Sequence, residues 1–236
     1  MKPFKFKQFN VHQDKTAMKI GTDGVLLGAV TALSAETDAV LDIGAGTGVV
    51  ALMLAQRSQA MQIDAIELDG DAYEQCVDNF EASPWGDRLF CYHASFQEFY
   101  EEMDEQYDLI VCNPPYFKED NSSGDPARDR ARQNEALPYE ELFQGVQKLL
   151  SKSGHFSVII PFSMEAHVRE LALATRLFPF KVLRIKGNPE APIKRCILEF
   201  SRKVQKVSEQ ELVIETGRHQ YTAAYCALTK DFYLKM

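Results

Sequence analysis

Residues 41–48 read Leu41-Asp42-Ile43-Gly44-Ala45-Gly46-Thr47-Gly48, a short apolar run that ends in three alternating glycines. A helical pattern follows over residues 49–56. Glycine at such a turn permits positive φ angles and lets a ligand approach the backbone closely. The pattern predicts a strand, a turn and a helix of an open α/β sheet, with ligands bound at the carboxyl edge of that sheet.

The rest of the chain continues this alternation of short apolar runs and helical periodicity. The predicted strands are 40–43, 63–67, 89–92, 107–112 and 156–160, and the predicted helices are 49–56, 71–81, 139–150, with a stop at Gly154, and 164–174. Such alternation favours right-handed crossovers and a doubly wound, mostly parallel sheet. The strand-like runs 180–185 and 193–200 have no helix between them, which predicts an antiparallel C-terminal hairpin.

With 236 residues, the chain has the length of a single α/β domain. We expect three parts within it: an N-terminal segment over residues 1–38, a parallel core over residues 39–178 and an antiparallel C-terminal part over residues 179–236. Residues 117–134 are polar, and a loop of that length is usually a functional lid or disordered.

The composition favours a cytoplasmic protein without membrane or metal partners. No apolar run reaches the ~18 residues that a membrane helix requires, and the N-terminus lacks the apolar stretch of a secretory signal. The five cysteines are scattered and include no C-x-x-C pair, which argues against a disulfide framework and a zinc site. The oligomeric state is left open by the sequence, which favours a monomer only slightly.

The net charge of −8 argues against indiscriminate nucleic-acid binding, because such binding depends on neutralising phosphates. Basic residues nevertheless collect near the N-terminus and in the predicted C-terminal hairpin. The second group contains Lys181, Arg184, Lys186, Lys194, Arg195, Arg202, Lys203 and Lys206. A local basic face permits a specific nucleic-acid partner, while solvated surface charge is the alternative.

The glycine turn departs from the dinucleotide fingerprint G-x-G-x-x-G, because its third glycine comes one residue early. Asp42 at the strand end would repel a pyrophosphate, and it suits a cationic ligand that carries an amine and a sulfonium. Glu67 follows Gly44 at the ~20-residue distance expected for an acid that hydrogen-bonds ribose hydroxyls. A purely structural glycine turn is the alternative.

A second feature, Asn113-Pro114-Pro115-Tyr116, follows the apolar strand 107–112. Each proline fixes φ and removes a backbone donor, so this corner presents two carbonyl acceptors and one aromatic ring. Such a corner suits a planar group that bears an NH2, and it suits a phosphate poorly. A proline-rich turn without a ligand is the alternative interpretation.

The glycine turn with Asp42 and Glu67 resembles the S-adenosyl-L-methionine site of class I methyltransferases. The resemblance implies a Rossmann-like sheet in which Asp42 and residues 44–48, with Gly44, Ala45, Gly46 and Gly48, hold the methionyl part. It also implies that Glu67, with Leu68 beside it, holds the ribose. Where related enzymes place an acid that reads the adenine amine, this chain has Ser95, and Phe96 is expected to pack on the adenine ring. His93 is interpreted as structural.

Together the two features resemble methyltransferases that act on amino groups conjugated to planar systems. The resemblance implies that Asn113 and Pro114 accept the two hydrogens of the amine, that Tyr116 stacks on the base, and that Pro115 and Phe117 lie on the substrate side. Three substrate classes share this corner: adenine in nucleic acids, guanine N2 in ribosomal RNA and the glutamine amide of proteins. A non-catalytic RNA-binding module that keeps the fold is an alternative of a different class.

The flanking sequences resemble the bacterial tRNA(Val) adenine-37 N6-methyltransferase family. The segments that carry this resemblance are 9–13, 17–28, 128–132 with Glu135, and 231–234. It implies that Thr22, Asp23 and Gly24 close over the cofactor, and that Arg128 and Arg132 are lid residues facing RNA phosphate. For these two arginines, solvated loop charge is the alternative. Lys194 and Arg195 of the basic hairpin are expected to bind the RNA. The identity of the RNA as tRNA and the position of the nucleotide rest on this resemblance alone.

Overall fold

The computed structural model describes residues 2–115 and 137–235. Tyr116, Phe117, Arg128 and Arg132, which the sequence assigns to the substrate side, lie outside these ranges. The helices are α1 (Thr22–Val30), α2 (Val49–Arg57), α3 (Gly70–Glu81), α4 (Phe96–Glu102), α5 (Tyr139–Leu149), α6 (Glu165–Ala174) and α7 (Ala223–Thr229). The strands are β1 (Phe4–Lys5), β2 (Asn10–Val11), β3 (Ala39–Ile43), β4 (Gln62–Glu67), β5 (Leu89–His93), β6 (Tyr107–Cys112), β7 (Leu150–Pro161), β8 (Phe178–Lys186), β9 (Ile193–Ser201), β10 (Ser208–Val213), β11 (Glu215–Gly217) and β12 (Gln220–Tyr221).

Eight strands form the central sheet in the order β10-β8-β9-β7-β6-β3-β4-β5. The strands β3 to β7 pair in parallel, and β9 pairs antiparallel with both β7 and β8. The predicted doubly wound, mostly parallel sheet with an antiparallel C-terminal hairpin is therefore confirmed. The order reverses between β3 and β6, which opens a crevice at the carboxyl ends of these two strands.

Alternate side chains of each strand enter two separate cores, one on each face of the sheet, as the period of two in a strand requires. On β3, Val40 joins the core under α1, α2 and α3, whereas Leu41 joins the core under α4, α5 and α6. Helices therefore cover both faces, so the ligand edge of the sheet is the end where β3 and β6 stop.

Several elements were not predicted from the sequence, and α1, α4 and β10 are the ones that bear on the site and the sheet. Helix α1 is apolar almost all round and is buried from Gly24 to Val30. Helix α4 begins with a capping box in which the Ser95 hydroxyl accepts from the Glu98 N–H and the Glu98 carboxylate accepts from the Ser95 N–H. Strand β10 adds a parallel edge beside β8, with Glu211 opposite Arg184.

The prediction that Gly154 ends the helix that begins at Tyr139 is wrong. That helix ends at Leu149, and Gly154 lies inside β7, four residues after the strand begins. A methyl group on Gly154 would lie 2.8 Å from the Tyr107 carbonyl oxygen, so the glycine allows β7 to pass close to β6.

Candidate active site

The glycine turn lies at the carboxyl end of β3 and has the backbone that only glycine adopts easily. Gly44, Gly46 and Gly48 have φ angles of 70°, 56° and 77°. A Cβ atom on Gly44 or Gly46 would have no atom within 4 Å, whereas a Cβ on Gly48 would lie 2.5 Å from the Phe80 ring. The first two glycines therefore face open space, and the third is required by packing against α3.

Asp42 lies one residue before the end of β3 and is almost fully buried, with 1% of its surface exposed. Its Oδ2 accepts the Ala51 N–H at 3.1 Å, in the first turn of α2, which has no side-chain cap of its own. Burial, opposed by this hydrogen bond and reinforced by the nearby Glu67, raises the pKa of the Asp42 carboxyl to about 7. A cationic ligand beside it would favour the charged form.

Glu67 ends β4 and holds the backbone of the glycine turn in place. One carboxylate oxygen accepts the Gly46 N–H at 2.7 Å, and the other accepts the Asp69 N–H at 2.9 Å. Each carboxylate oxygen can accept more than one hydrogen bond, so Glu67 retains acceptor capacity for hydroxyl groups. Its place at the edge of the turn agrees with the ribose-binding role implied by the resemblance.

The acceptor corner follows β6, the strand next to β3. Ile43 pairs with Cys112, so Gly44 and Asn113 are the next residues on two adjacent strands. Asn113 is half-buried, Pro114 is buried and Pro115 is exposed. The carboxyl ends of the two strands therefore bring the turn and the corner together at the crevice.

The N-terminus of α1 lies over the same crevice. A Cβ atom on Gly24 would lie 3.5 Å from Val49 Cγ1, at the start of α2, and 3.7 Å from Asn113 Nδ2. Asp23 binds the Arg195 side chain with an Oδ2–Nε distance of 2.9 Å, and this ion pair joins α1 to the start of β9. Thr22 is exposed at the first residue of the helix. Of the three residues expected to close over the cofactor, Gly24 thus lies beside the acceptor corner, and Thr22 and Asp23 precede it in the same helical turn.

The segment before α1 is fixed to α3 by amide side chains. The Asn79 side chain bonds both backbone groups of His12 and also donates to the Thr47 carbonyl in the glycine turn. Gln75 Oε1 accepts the N–H groups of Asp14 and Lys15. Because Asn79 binds the N-terminal segment and the turn at once, the position of α1 depends on the same helix that packs against Gly48.

Comparison with known proteins shows the family to which the chain belongs. The family model "Methyltransferase small domain" matches residues 16–177. A protein of Flavobacterium psychrophilum named tRNA1(Val) (adenine(37)-N6)-methyltransferase is 57% identical over 233 residues, which cover 99% of this chain and 100% of that protein. A protein of the same name from Bacteroides fragilis is 45% identical over 99% of this chain and 98% of its own length. The chain belongs to the tRNA1(Val) (adenine(37)-N6)-methyltransferase family.

Solved structures share the fold. The crystal structure of a predicted O-methyltransferase from Agrobacterium tumefaciens superposes with a TM-score of 0.71 at 17% identity, over 89% of this chain and 96% of that chain. A ribosomal protein L11 methylase from Lactobacillus delbrueckii superposes with a TM-score of 0.59 at 16% identity, over 81% and 83% of the two chains. At these identities the likeness concerns the methyltransferase fold alone.

The residues after β5 differ from the expectation for this family. The Ser95 hydroxyl lies 2.7 Å from Glu98 Oε2 and caps α4, so a carboxylate lies beside the place that the sequence assigned to an uncharged hydroxyl. The hydrogen bonds from Ser95 lower the pKa of Glu98. Phe96 is not at the crevice as expected, because its ring is buried against Gly145 of α5. Glu98 was not predicted to lie near the site, although residues 95–98 have the S-x-x-E pattern of a capping box.

Two further residues border the crevice near β4. Leu68, expected beside the ribose, is 50% exposed directly after Glu67. The His93 ring stacks on Tyr73 with a centroid distance of 5.2 Å, and its Nε2 lies 3.0 Å from the Leu68 carbonyl oxygen. These contacts agree with the structural interpretation of His93.

Within the part of the chain that the structure describes, four of the eight residues in the C-terminal basic group form ion pairs with acids, Arg195 among them. Lys181 binds Glu199 at 2.7 Å, Arg184 binds Glu165 at 2.7 Å, and Lys186 binds Glu211 at 3.1 Å. Arg195 lies opposite Pro161, the last residue of β7, so the start of β9 lies at the same edge as Asn113. Lys194 is exposed there. This edge contains Lys194 and Arg195, two of the predicted RNA contacts. The C-terminal basic group as a whole has less unpaired positive charge than its sequence alone suggests.

The residues at the crevice fit S-adenosyl-L-methionine as a cofactor. Gly44 and Gly46 leave open space above the turn, and the Asp42 carboxylate lies at the base of the turn. The carboxylate oxygens of Glu67 can accept hydrogen bonds from hydroxyl groups of a ligand. Within residues 2–115 and 137–235, no three His, Cys, Asp or Glu side chains group in a way that could hold a metal ion. In the same ranges, no helix is long and apolar enough to cross a bilayer.

Proposed function

We propose that the protein methylates the N6 amine of adenine 37 in a tRNA that reads valine codons, using S-adenosyl-L-methionine. The observation that carries the proposal is the adjacency of the glycine turn and the Asn113–Pro114 corner on neighbouring strands. Family membership supports the choice of RNA and nucleotide, since both curated relatives described above carry that activity in their names. We place the reaction in the cytoplasm, where tRNA is modified.

The cofactor supplies a methyl group on a positively charged sulfur. Asp42 and the turn Gly44–Gly48 bind its methionyl end, and Glu67 binds its ribose. Helix α1, with Thr22, Asp23 and Gly24, covers the bound cofactor as part of a segment 1–38 that closes the site. This division of roles places the transferred group between the turn and Asn113.

The corner activates a weak nucleophile. The adenine N6 lone pair is delocalised into the ring, so the amine must pyramidalise before it can attack. The side-chain carbonyl of Asn113 and the backbone carbonyl of Pro114 each accept one N6–H, which directs the lone pair out of the ring plane. Both hydrogen bonds strengthen as positive charge develops on nitrogen, so they favour the transition state. No strong general base is needed, because the amine becomes acidic only after it has been methylated.

The remaining substrate contacts are proposed from the sequence after the corner and from the start of β9. Pro115 is exposed at the end of the corner, and Tyr116 and Phe117, which follow it, provide aromatic surface for the base. Lys194 and Arg195 at the start of β9 face the same edge, and Arg128 and Arg132 belong to the segment that follows the corner. These seven residues are proposed substrate contacts. A monomer is sufficient for all of these roles, since they come from one chain.

The test is removal of the first acceptor. We expect Asn113→Ala to lower kcat for methyl transfer about 100- to 1,000-fold, because one preorganised transition-state hydrogen bond is lost. Cofactor affinity should stay close to wild type, since the turn and Asp42 are unchanged. Methyl transfer is measured by mass-spectrometric nucleoside analysis of unmodified tRNA, and cofactor binding by calorimetry. Asn188→Ala, in the loop between β8 and β9, is the matched control and should retain full activity.

The substrate alternatives are separated in the same assay. Unmodified tRNA, a tRNA with guanine at position 37, ribosomal RNA and a protein bearing the glutamine target are offered in parallel with labelled cofactor. The proposal expects N6-methyladenine in the first substrate alone. N2-methylguanine in ribosomal RNA or a labelled protein would assign the chain to one of the other classes. RNA binding without methyl transfer to any substrate would identify a non-catalytic module.

A further inference from the structure

The two ends of the chain border an open cleft whose lining residues, apart from Thr22, have no role in the proposed function. Its volume is about 500 Å³, within the range that small-molecule sites occupy. Aromatic rings of Phe4, Tyr221, Tyr225 and Tyr233 line it, together with the side chains of Lys5 and Lys235. Aromatic and cationic groups are the combination that binds single-stranded nucleic acid, where rings stack on bases and lysines face phosphates.

The aromatic wall consists of two pairs of rings. The rings of Tyr221 and Tyr225 lie 5.3 Å apart with an interplanar angle of 31°, and Phe4 meets the edge of Tyr233 at 6.2 Å. The Tyr225 and Tyr233 phenols are close enough to shift each other's pKa, so the two pairs of rings are neighbours. Burial raises the pKa of both phenols, so both rings stay neutral at physiological pH. Tyr221 is 40% exposed, which leaves one of its ring surfaces accessible.

The charges at the cleft favour an anion at its rim. Lys5 and Lys235 are both exposed, and the acid that lines the cleft with them is Glu215. In the N-terminal segment that contains β1, Phe4 and Phe6 are at least partly buried, whereas Lys5 and Lys7 are exposed. The cleft therefore combines aromatic surface with exposed lysines, which suits a ligand with a flat base and a charged backbone.

The cleft adjoins the methyl-transfer site through helix α1. Thr22, the first residue of α1, lines the cleft, and Gly24 of the same turn lies beside Asn113. Ile214, which follows β10 at the carboxyl edge of the sheet, lines it as well. A strand of RNA whose adenine enters the Asn113 corner can thus continue along α1 into the cleft.

We propose that this cleft binds an unpaired nucleotide of the RNA substrate that neighbours the methylated adenine. Its base stacks on Tyr221, and its phosphates face Lys5 and Lys235. The inference rests on the proposed function, since it assigns the cleft to the same RNA, and it adds a second binding point for the loop that presents the adenine.

The test measures RNA affinity and steady-state kinetics of Tyr221→Ala with an unmodified anticodon stem–loop. One lost base–ring stack should weaken binding about tenfold. The KM for RNA should rise by a similar factor while kcat stays near wild type, because the contact is made equally in the ground and transition states. Tyr221→Phe keeps the ring and should bind like wild type. Phe90→Ala, another exposed aromatic, on β5 at 46% exposure, is the matched control and should also bind like wild type.

Three outcomes would overturn the subsite: wild-type affinity and KM for Tyr221→Ala, equal losses in Tyr221→Ala and Tyr221→Phe, or an equal loss in Phe90→Ala. Should Tyr221→Ala fail to fold, Lys235→Ala gives a second test, because one fewer phosphate contact lowers the slope of log affinity against log salt by about 0.7. An unchanged slope would then overturn the proposal. If the wild-type protein binds this RNA but leaves its adenine unmethylated, the proposed function is overturned. The affinity of Tyr221→Ala for the RNA still tests the subsite in that case.

Discussion

Asp42 is a carboxylate that the fold keeps away from water, next to space that is open above the glycine turn. A purely structural cap for α2 would be served by a neutral acceptor, because one N–H bond is all that Ala51 supplies. An acid with a pKa of about 7 instead gives the site a charge that becomes more favourable when a cation arrives. Burial of the Asp42 charge thus lowers the stability of the ligand-free protein, and binding of a cationic ligand offsets this loss.

This cost predicts a pH dependence of stability. The pKa of Asp42 is about 7 in the folded protein and ~4 in the unfolded chain, so between these values the native state binds more protons. The free energy of unfolding therefore falls as pH rises through this window and levels off above pH 7. Asp42→Asn removes this contribution, so its stability relative to wild type should increase by roughly 1–1.5 kcal/mol between pH 6 and pH 8.5.

Urea denaturation of both proteins at several pH values measures this difference. The range begins at pH 6 because the sequence pI is about 5.2 and low net charge promotes aggregation. A difference that stays flat from pH 6 to pH 8.5 would contradict a raised pKa at Asp42. Asp38→Asn, which changes an exposed aspartate just before β3, serves as the control.

Several site residues could be predicted because their roles depend on the chain next to them. Asn113 and the three glycines follow apolar runs, and sequence order alone places both motifs at one sheet edge. The ion pair of Asp23 with Arg195 joins residues 172 positions apart, and no local pattern indicates such a partner. Phe96 was misplaced because its burial depends on the packing of α4 against Gly145, which sequence periodicity does not show.

At the scale of elements, the glycines of the turn meet two different requirements, open space for a ligand at Gly46 and close packing against α3 at Gly48. The sequence shows both as one motif. Gly46→Ala places a methyl group in the open space above the turn, and it also strains a residue at a φ of 56°. Gly48→Ala has similar backbone strain and in addition overlaps the Phe80 ring of α3. The two substitutions are chemically identical and two residues apart, so each is the control of the other.

We expect Gly46→Ala to lose mainly cofactor affinity and Gly48→Ala to lose mainly stability. Backbone strain should cost each variant about 1–2 kcal/mol of unfolding free energy, and overpacking should cost Gly48→Ala about 1–3 kcal/mol more. Urea denaturation and calorimetry with S-adenosyl-L-methionine measure the two effects. Wild-type cofactor affinity in Gly46→Ala would show that the turn does not hold the cofactor.

Helix α1 and strand β10 were not predicted because each has a weak hydrophobic pattern, and each pattern has a physical reason. Helix α1 is buried among α2, β7 and α7, so it is apolar on most sides and lacks the periodicity of a surface helix. Strand β10 is a polar edge strand whose Glu209 and Glu211 bind Arg184 and Lys186 of β8. Central strands were predicted well because burial on both faces makes them continuous apolar runs.

At the scale of the whole molecule, the two ends of the chain are parts of one packed unit. Phe6 forms a backbone bridge with Tyr233, and its ring stacks on Phe9 at 4.6 Å and on Tyr233 at 5.9 Å. The Lys7 N–H donates to the Phe232 carbonyl oxygen at 2.8 Å. The N-terminal segment also binds α3 through Asn79, so the chain ends, the cleft and the glycine turn are linked through direct contacts.

This linkage predicts that a substitution at one end loosens the other. Phe6 is 3% exposed, so Phe6→Ala should lower the unfolding free energy by about 3–5 kcal/mol. Because Phe6 holds Tyr233, hydrogen exchange should accelerate over residues 225–233 as well as over β1 and β2. Phe90→Ala removes the same side chain from an exposed position on β5 and should leave both measurements near wild type. Faster exchange confined to residues 2–11 would show that the C-terminal part is held by α1 and β10 and that the two ends do not depend on each other.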